Sequence, residues 1–108
     1  MSKAIRIYET GSPDVMQWED VDVTAPDPGM VTVANRAVGL NYIDTYHRSG
    51  LYPLPLPTGI GLEGAGVVEA VGDGVDLVVG DRVAYCTAGF GAYSQVINLP
   101  AARLVRNE

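Results

Sequence analysis

Asn41, Tyr42, Asp44, Tyr46, His47, Arg48 and Tyr52 form the densest polar and aromatic cluster in the sequence. Tyr42 and Tyr46 are four residues apart, so a helix through them carries both hydroxyls on one face above an apolar body. Such a face suits hydrogen bonding to a carbonyl while stacking against a planar ring. A helix cap followed by amphipathic core packing accounts for the same residues, and their types alone leave both readings open. His47, the single histidine, reads on its own as a partly buried helix residue rather than an acid or base.

A second stretch carries a formal motif. Gly59-Ile60-Gly61-Leu62-Glu63-Gly64 matches G-x-G-x-x-G, with Asp81 twenty residues beyond Gly61, the outline of a dinucleotide fingerprint. Its context contradicts that reading. A fingerprint leaves a buried strand and opens a helix whose N-terminus receives the pyrophosphate. Here Pro-rich chain precedes the glycines and a β-branched stretch follows, so the glycines are expected to serve tight turns and close backbone approach. Cys86 lies in an apolar strand pattern and reads as an ordinary core residue. Asp73, Asp76 and Asp81 sit in turns, where Asp is a routine choice. With one Cys and one His, neither an internal disulfide nor a Cys/His zinc site can be assembled.

The elements that must position these residues are mostly strands. Ala4 to Tyr8 alternates, Gly11-Ser12-Pro13-Asp14 turns the chain, and Val15 to Thr24 reads as a second strand. After Ala25-Pro26-Asp27-Pro28-Gly29, Met30 to Leu40 is the longest strand, with Val31 and Val33 on one face. Asn41 opens a helix of about two turns as its N-cap. Asp44 stands at N3 near the positive end of the dipole, Ile43, Tyr46 and His47 share a face, and Gly50 terminates it. Leu51 to Pro57 has proline at alternate positions and must run extended on the surface. Val67 to Val71, Val75 to Val79, Arg82 to Cys86 and Ala92 to Leu99 follow as strands, separated by Gly72-Asp73-Gly74, Gly80-Asp81 and Ala88-Gly89 turns.

Composition agrees. Thirteen Gly, seven Pro and fifteen Val among 108 residues favour many short strands joined by tight turns. The length accommodates one core and no second full domain. A net charge of −6 and a pI near 4.5 would repel a phosphate backbone, so nucleic acid is not an expected partner. Apolar runs are interrupted far short of the roughly 20 residues that span a bilayer, and Met1 to Lys3 leads into a strand pattern with no signal-peptide core. No membrane association is expected, and a cytoplasmic location is.

Asn41-Tyr42-Ile43-Asp44-Thr45-Tyr46-His47-Arg48-Ser49-Gly50-Leu51-Tyr52-Pro53 closely resembles a segment of the bacterial NADPH:quinone oxidoreductases, the zeta-crystallin-like branch of the medium-chain dehydrogenase/reductase superfamily. Gly11 to Met16, Gly61-Leu62-Glu63-Gly64-Ala65-Gly66-Val67-Val68, Val79-Gly80-Asp81-Arg82-Val83 and Gly91-Ala92-Tyr93-Ser94 support it in the same order. The resemblance covers essentially residues 1–108 and implies a mainly β fold: the GroES-like catalytic domain, a partly open β-barrel with short helices. The Rossmann cofactor domain of such enzymes is absent from this sequence.

The resemblance also implies site roles. Asn41, Tyr46 and Tyr52 would face the cleft as hydrogen-bonding and orienting groups. The segment Tyr42, Ile43, Asp44, Thr45 and Tyr46 would lie against the nicotinamide half of NADPH, and the substrate would be a quinone. Zinc-dependent relatives place Cys where Asn41 stands and Gly-His-Glu where Gly61-Leu62-Glu63 stands, so no zinc is expected. The full-length parent is expected to be a homodimer, and this stretch alone is expected to be inactive. A zinc-free enone or alkenal reductase and a stand-alone GroES-like module without redox function are the alternatives.

Overall fold

The computed structural model describes residues 2–86 and 89–107. Among the described residues, eight strands and one helix succeed one another as β1 (Ser2–Ile7), β2 (Gln17–Val21), β3 (Met30–Gly39), α1 (Tyr42–Ser49), β4 (Thr58–Gly59), β5 (Glu63–Val71), β6 (Arg82–Cys86), β7 (Val96–Pro100) and β8 (Leu104–Asn107). Short 3-10 turns occupy Pro13–Val15 and Ala101–Arg103. The strands form a three-stranded sheet, β2-β1-β4, and a five-stranded sheet, β7-β3-β5-β6-β8. Every pairing is antiparallel. The sheets are stitched where β1 meets the segment before β7: Ile5 N–H donates to Tyr93 O at 2.8 Å and Gln95 N–H to Lys3 O at 2.9 Å. The result is a partly open barrel, without closure.

The ten-residue β3 carries the architecture because it pairs on both sides, with β5 and β7. Val31 and Val33 are completely buried and pack with Val68, Val83, Tyr85, Ala92 and Leu99 in one apolar cluster. Thr32 and Ala34, on the opposite face, are buried as well, and the Thr32 hydroxyl donates to Asn98 Oδ1 at 2.5 Å. Burial on both faces explains why this strand reads as apolar throughout rather than alternating. The ladder shifts register between Asn35 and Ala37, after which Arg36, Ala37 and Val38 are exposed. Such an irregularity bends the strand, and β3 then delivers Gly39 to the mouth of the barrel, where α1 begins.

Several expectations are corrected. Val75 to Val79 is not a strand. Gly80 N–H donates to Val68 O and Val68 N–H to Asp81 O, both at 2.9 Å, so residues 80 and 81 already occupy that part of β5. The preceding run loops out, tucking Val75 and Leu77 against the core and leaving Val78 and Val79 exposed. Asp81 holds the turn by accepting from Val78 N–H at 3.0 Å and pairs with Arg106 at 3.2 Å. The strand expected over Val15 to Thr24 shortens to β2, since Pro13–Val15 is a 3-10 turn. That expected over Ala92 to Leu99 starts at Val96, and β5 begins four residues before Val67. The edge strand β8 was not foreseen. Cys86 is exposed at the end of β6, not in the core. The Ala88 half of the Ala88-Gly89 turn lies outside the described residues. Among the described residues no helix is long and apolar enough to cross a membrane.

Candidate functional site

Helix α1 starts at an Asn41 in extended backbone conformation, φ −123° and ψ 150°. Asp44 Oδ2 accepts from the Asn41 backbone N–H at 3.1 Å, and Asp44 N–H donates to Asn41 O at 3.0 Å. The carboxylate thus satisfies a donor that the helix start would leave open. Gly50 ends the helix in the left-handed region, φ 91°, with its N–H on Tyr46 O, a conformation that Cβ-bearing residues adopt only with strain. The C-terminal turn is latched to the loop after β1, because Arg48 Nε donates to Gly11 O at 3.1 Å and Gly11 N–H to Arg48 O at 2.9 Å.

The helix buries its polar side. Asp44 is 2% and His47 5% exposed, whereas Ile43 and Tyr46 are only half-buried; the shared apolar face expected for Ile43, Tyr46 and His47 is therefore centred on Asp44 and His47 instead. The reason lies in another part of the chain. Tyr93 O–H donates to Asp44 Oδ2 at 2.5 Å, giving the carboxylate a partner inside the barrel. Burial above all, then its hydrogen bond to Asp44 and that group's charge, hold the Tyr93 phenol well above its usual pKa. His47 packs edge-on against Phe90, ring centroids 5.1 Å apart. Asp44 Oδ1 and His47 Nδ1 are buried without a hydrogen-bond partner among the described residues.

The opposite side is aromatic and open. Tyr42 is 82% and Tyr52 52% exposed. Tyr46 lies between them, its ring centroid 6.3 Å from that of Tyr42 and 5.3 Å from that of Tyr52, the latter pair edge to face at 83°. Exposed rings around a half-buried one form a surface on which a flat ligand can stack. Thr45 does not contribute its hydroxyl, which donates to Tyr42 O at 2.6 Å.

The structure therefore groups Tyr42, Tyr46 and Tyr52 as one ring cluster, sets Asn41 at the helix start against Glu63, and turns Asp44 and His47 inward. Two residues that sequence reading did not assign join them. Glu63, at the start of β5, accepts from Asn41 Nδ2 at 3.2 Å, and Tyr93 reaches Asp44 from the segment before β7. The only signal for either was its place within the motifs Gly61-Leu62-Glu63 and Gly91-Ala92-Tyr93-Ser94. The glycine stretch opens no helix, since β5 follows from Glu63. Gly61 has φ 105°, and a Cβ there would lie 2.6 Å from the Tyr93 ring; it is glycine because Tyr93 crosses it. Among the described residues no three His, Cys, Asp or Glu side chains converge as a metal site would require.

With this fold and corner in view, the chain belongs to the alcohol dehydrogenase GroES-like domain family, whose model matches residues 27–108. More narrowly, it corresponds to the N-terminal part of the medium-chain dehydrogenase/reductase quinone oxidoreductases. It is 53% identical to a quinone oxidoreductase of Pseudomonas aeruginosa over 107 residues, 97% of this chain and 33% of that protein. A 2-haloacrylate reductase of Burkholderia is 46% identical over 98% of this chain and 33% of its own length. The crystal structure of Escherichia coli quinone oxidoreductase complexed with NADPH superposes with a TM-score of 0.95 at 42% identity, covering 98% of this chain and 33% of that one. The chain thus spans about a third of the length of the relatives it matches.

Proposed function

We propose that this chain forms the substrate-side wall of a zinc-independent, NADPH-dependent quinone reductase. The observation that carries this reading is the open tyrosine cluster on and after α1, on a helix that Asn41 caps. The relatives supply the ligand classes: quinone oxidoreductases match nearly the whole chain, and the E. coli structure is an NADPH complex. The corner fits half of that cofactor. A nicotinamide is a flat ring bearing a carboxamide, and the segment Tyr42 to Tyr46 offers a ring face and hydrogen-bonding groups. The pyrophosphate finds no helix N-terminus after Gly59 to Gly64, so its binding falls to the remaining two-thirds of the parent, a Rossmann domain in this reading.

NADPH, when bound, supplies reducing equivalents from its nicotinamide ring. Tyr46 and Tyr52 hold the quinone ring by edge and face contacts, and the Tyr46 hydroxyl and Asn41 carboxamide orient the reacting carbonyl by hydrogen bonds. Asp44 acts behind them by fixing the Asn41 backbone, while Ile43 and Thr45 supply the helical frame. The parent is read as a cytoplasmic homodimer, and residues 1–108 alone as inactive. The Burkholderia relative favours a second reading, reduction of an activated carbon–carbon double bond, since the same groups orient an enone or acrylate carbonyl.

Turnover of the full-length enzyme with 1,4-quinones, enones and 2-haloacrylate at equal NADPH separates the two. Quinone preference is the expected result, and preference for the alkenes overturns it. Elemental analysis of the same preparation is expected to find no stoichiometric zinc; about one zinc per chain retained through chelation would overturn the zinc-independent assignment.

A further inference from the structure

Asn41 is held from two sides, by Asp44 at its backbone and by Glu63 at its side chain. The Glu63 contact has a chemical consequence. An ionised carboxylate only accepts hydrogen bonds, so the edge of the carboxamide that meets Glu63 must be its NH2 group. Glu63 thereby supports one O/N orientation of Asn41, in which Oδ1 turns toward the Asp44 N–H of the capping box with its second lone pair open, and one N–H is left for a ligand.

Glu63 is itself seated on a place made for it. It pairs with Gly39 across the β3–β5 ladder. A Cβ on Gly39 would lie 1.9 Å from Glu63 Oε1, 2.3 Å from Cγ and 2.4 Å from Cδ. Gly39 is not among the glycines with positive φ, so the side chain lying across it, rather than a backbone conformation, requires glycine there. The carboxylate crosses the end of β3 and reaches the N-cap residue two positions further on.

We propose that Glu63 is a positioning residue of this corner, locking the Asn41 carboxamide in the one orientation that offers Oδ1 as acceptor and a single N–H as donor. Without it the carboxamide rotates about its terminal torsion, and the flipped state presents the wrong atom to the ligand. The inference rests on the reading of Asn41 as a ligand-orienting group.

The test uses the full-length enzyme and its Glu63→Ala, Glu63→Gln, Gly39→Ala, Asn41→Ala and Asn41→Ala/Glu63→Ala variants. Three quantities are compared: kcat/KM with whichever quinone or haloacrylate the parent reduces, the melting temperature, and the Asn41 side-chain NH2 resonances in 15N-asparagine-labelled protein. Glu63→Ala and Gly39→Ala should each lower kcat/KM about tenfold at little change in melting temperature. The double variant should be no worse than Asn41→Ala, because both changes remove one coupled unit. Glu63→Gln keeps an accepting oxygen and should recover most of the rate. The Asn41 amide protons should move upfield when Glu63 becomes Ala. Undiminished kcat/KM in Glu63→Ala, losses that add in the double variant, or amide resonances indifferent to Glu63 would each overturn the proposal. A parent inactive on every acceptor would defeat the functional reading instead, and the amide resonances would still decide the Glu63–Asn41 link.

Discussion

The five-stranded sheet and the α1 corner bury opposite kinds of atoms. In the sheet, Val31, Val33, Val68, Val83 and Leu99 are at most 2% exposed, their backbones are paired in ladders, and the polar Tyr85 hydroxyl is satisfied by Asn35 Oδ1 at 2.8 Å. In the corner a carboxylate and an imidazole are buried while Tyr42 and Tyr52 stand in solvent. Apolar burial stabilises by roughly 25 cal/mol per Å², whereas a buried carboxylate costs free energy unless hydrogen bonds compensate it. The corner therefore contributes less to stability per buried group than the sheet, and the reading of it as a ligand surface can be tested against that difference.

The largest effect should fall on the sheet. Leu99→Ala removes a side chain from the middle of the core and should lower stability by about 2–5 kcal/mol, read as a fall in melting temperature, with the corner's ligand contacts unaltered in the enzyme that remains folded. A smaller loss would mean that β7 collapses onto the cavity, and the contrast with the corner would weaken.

Tyr93→Phe probes the link between the regions, since Tyr93 sits in the barrel wall and donates to Asp44. Removing a hydrogen bond to a buried carboxylate should cost about 1–3 kcal/mol. The variant should also change the pH dependence. Folding raises the Tyr93 phenol's pKa, so its contribution is complete below the unfolded value of about 10 and is lost as pH climbs through the folded value. Denaturant titrations above pH 10 should therefore show a shallower alkaline fall for Tyr93→Phe than for the parent. Tyr85, whose phenol is also raised by burial against the opposing hydrogen bond to Asn35, and Tyr8, raised by its hydrogen bond to Glu19, remain in both proteins and supply the residual slope. Equal slopes would remove Tyr93 from the network.

Tyr46→Phe in the full-length enzyme should lower kcat/KM by roughly 5- to 150-fold, about 1–3 kcal/mol of lost hydrogen bonding, at an unchanged melting temperature. The mildest effect should come from Tyr52→Ala, which removes ring contact at a half-exposed position and should raise KM for the quinone more than it lowers kcat. If both tyrosine variants lost stability and kept their kinetics, the corner would be packing like the sheet, and the distinction drawn between them would fail.

Much of the corner was legible because its signals are local. Asn41, Asp44 and Gly50 mark the start and stop of α1 by capping chemistry that operates within four residues, and the tyrosine spacing places Tyr42 beside Tyr46. The longest strand was legible for the same reason, with turn formers on one side and an Asn N-cap on the other. Val75 to Val79 misled because β-branched composition describes what a strand tolerates, while pairing decides whether one forms; β5 already held residues 80 and 81. Leu104 to Asn107 became a strand only because β6 offered it an edge.

The sequence by itself determined the many-stranded class, the helix α1 and the spacing that sets Tyr42 beside Tyr46, since each follows from residue types within a few positions of one another. Tertiary structure alone decided which side of α1 is buried and added, to the local cap by Asp44, a distant partner for the Asn41 side chain. Asp44 faces inward because Tyr93, 49 residues away, brings it a donor, and the Asn41 side-chain NH2 donates to Glu63, 22 residues away. Both depend on distant segments being folded against α1, and nothing local encodes that: the same Asp at N3 would cap the helix equally well in water, but only a partner from the barrel wall makes its burial affordable.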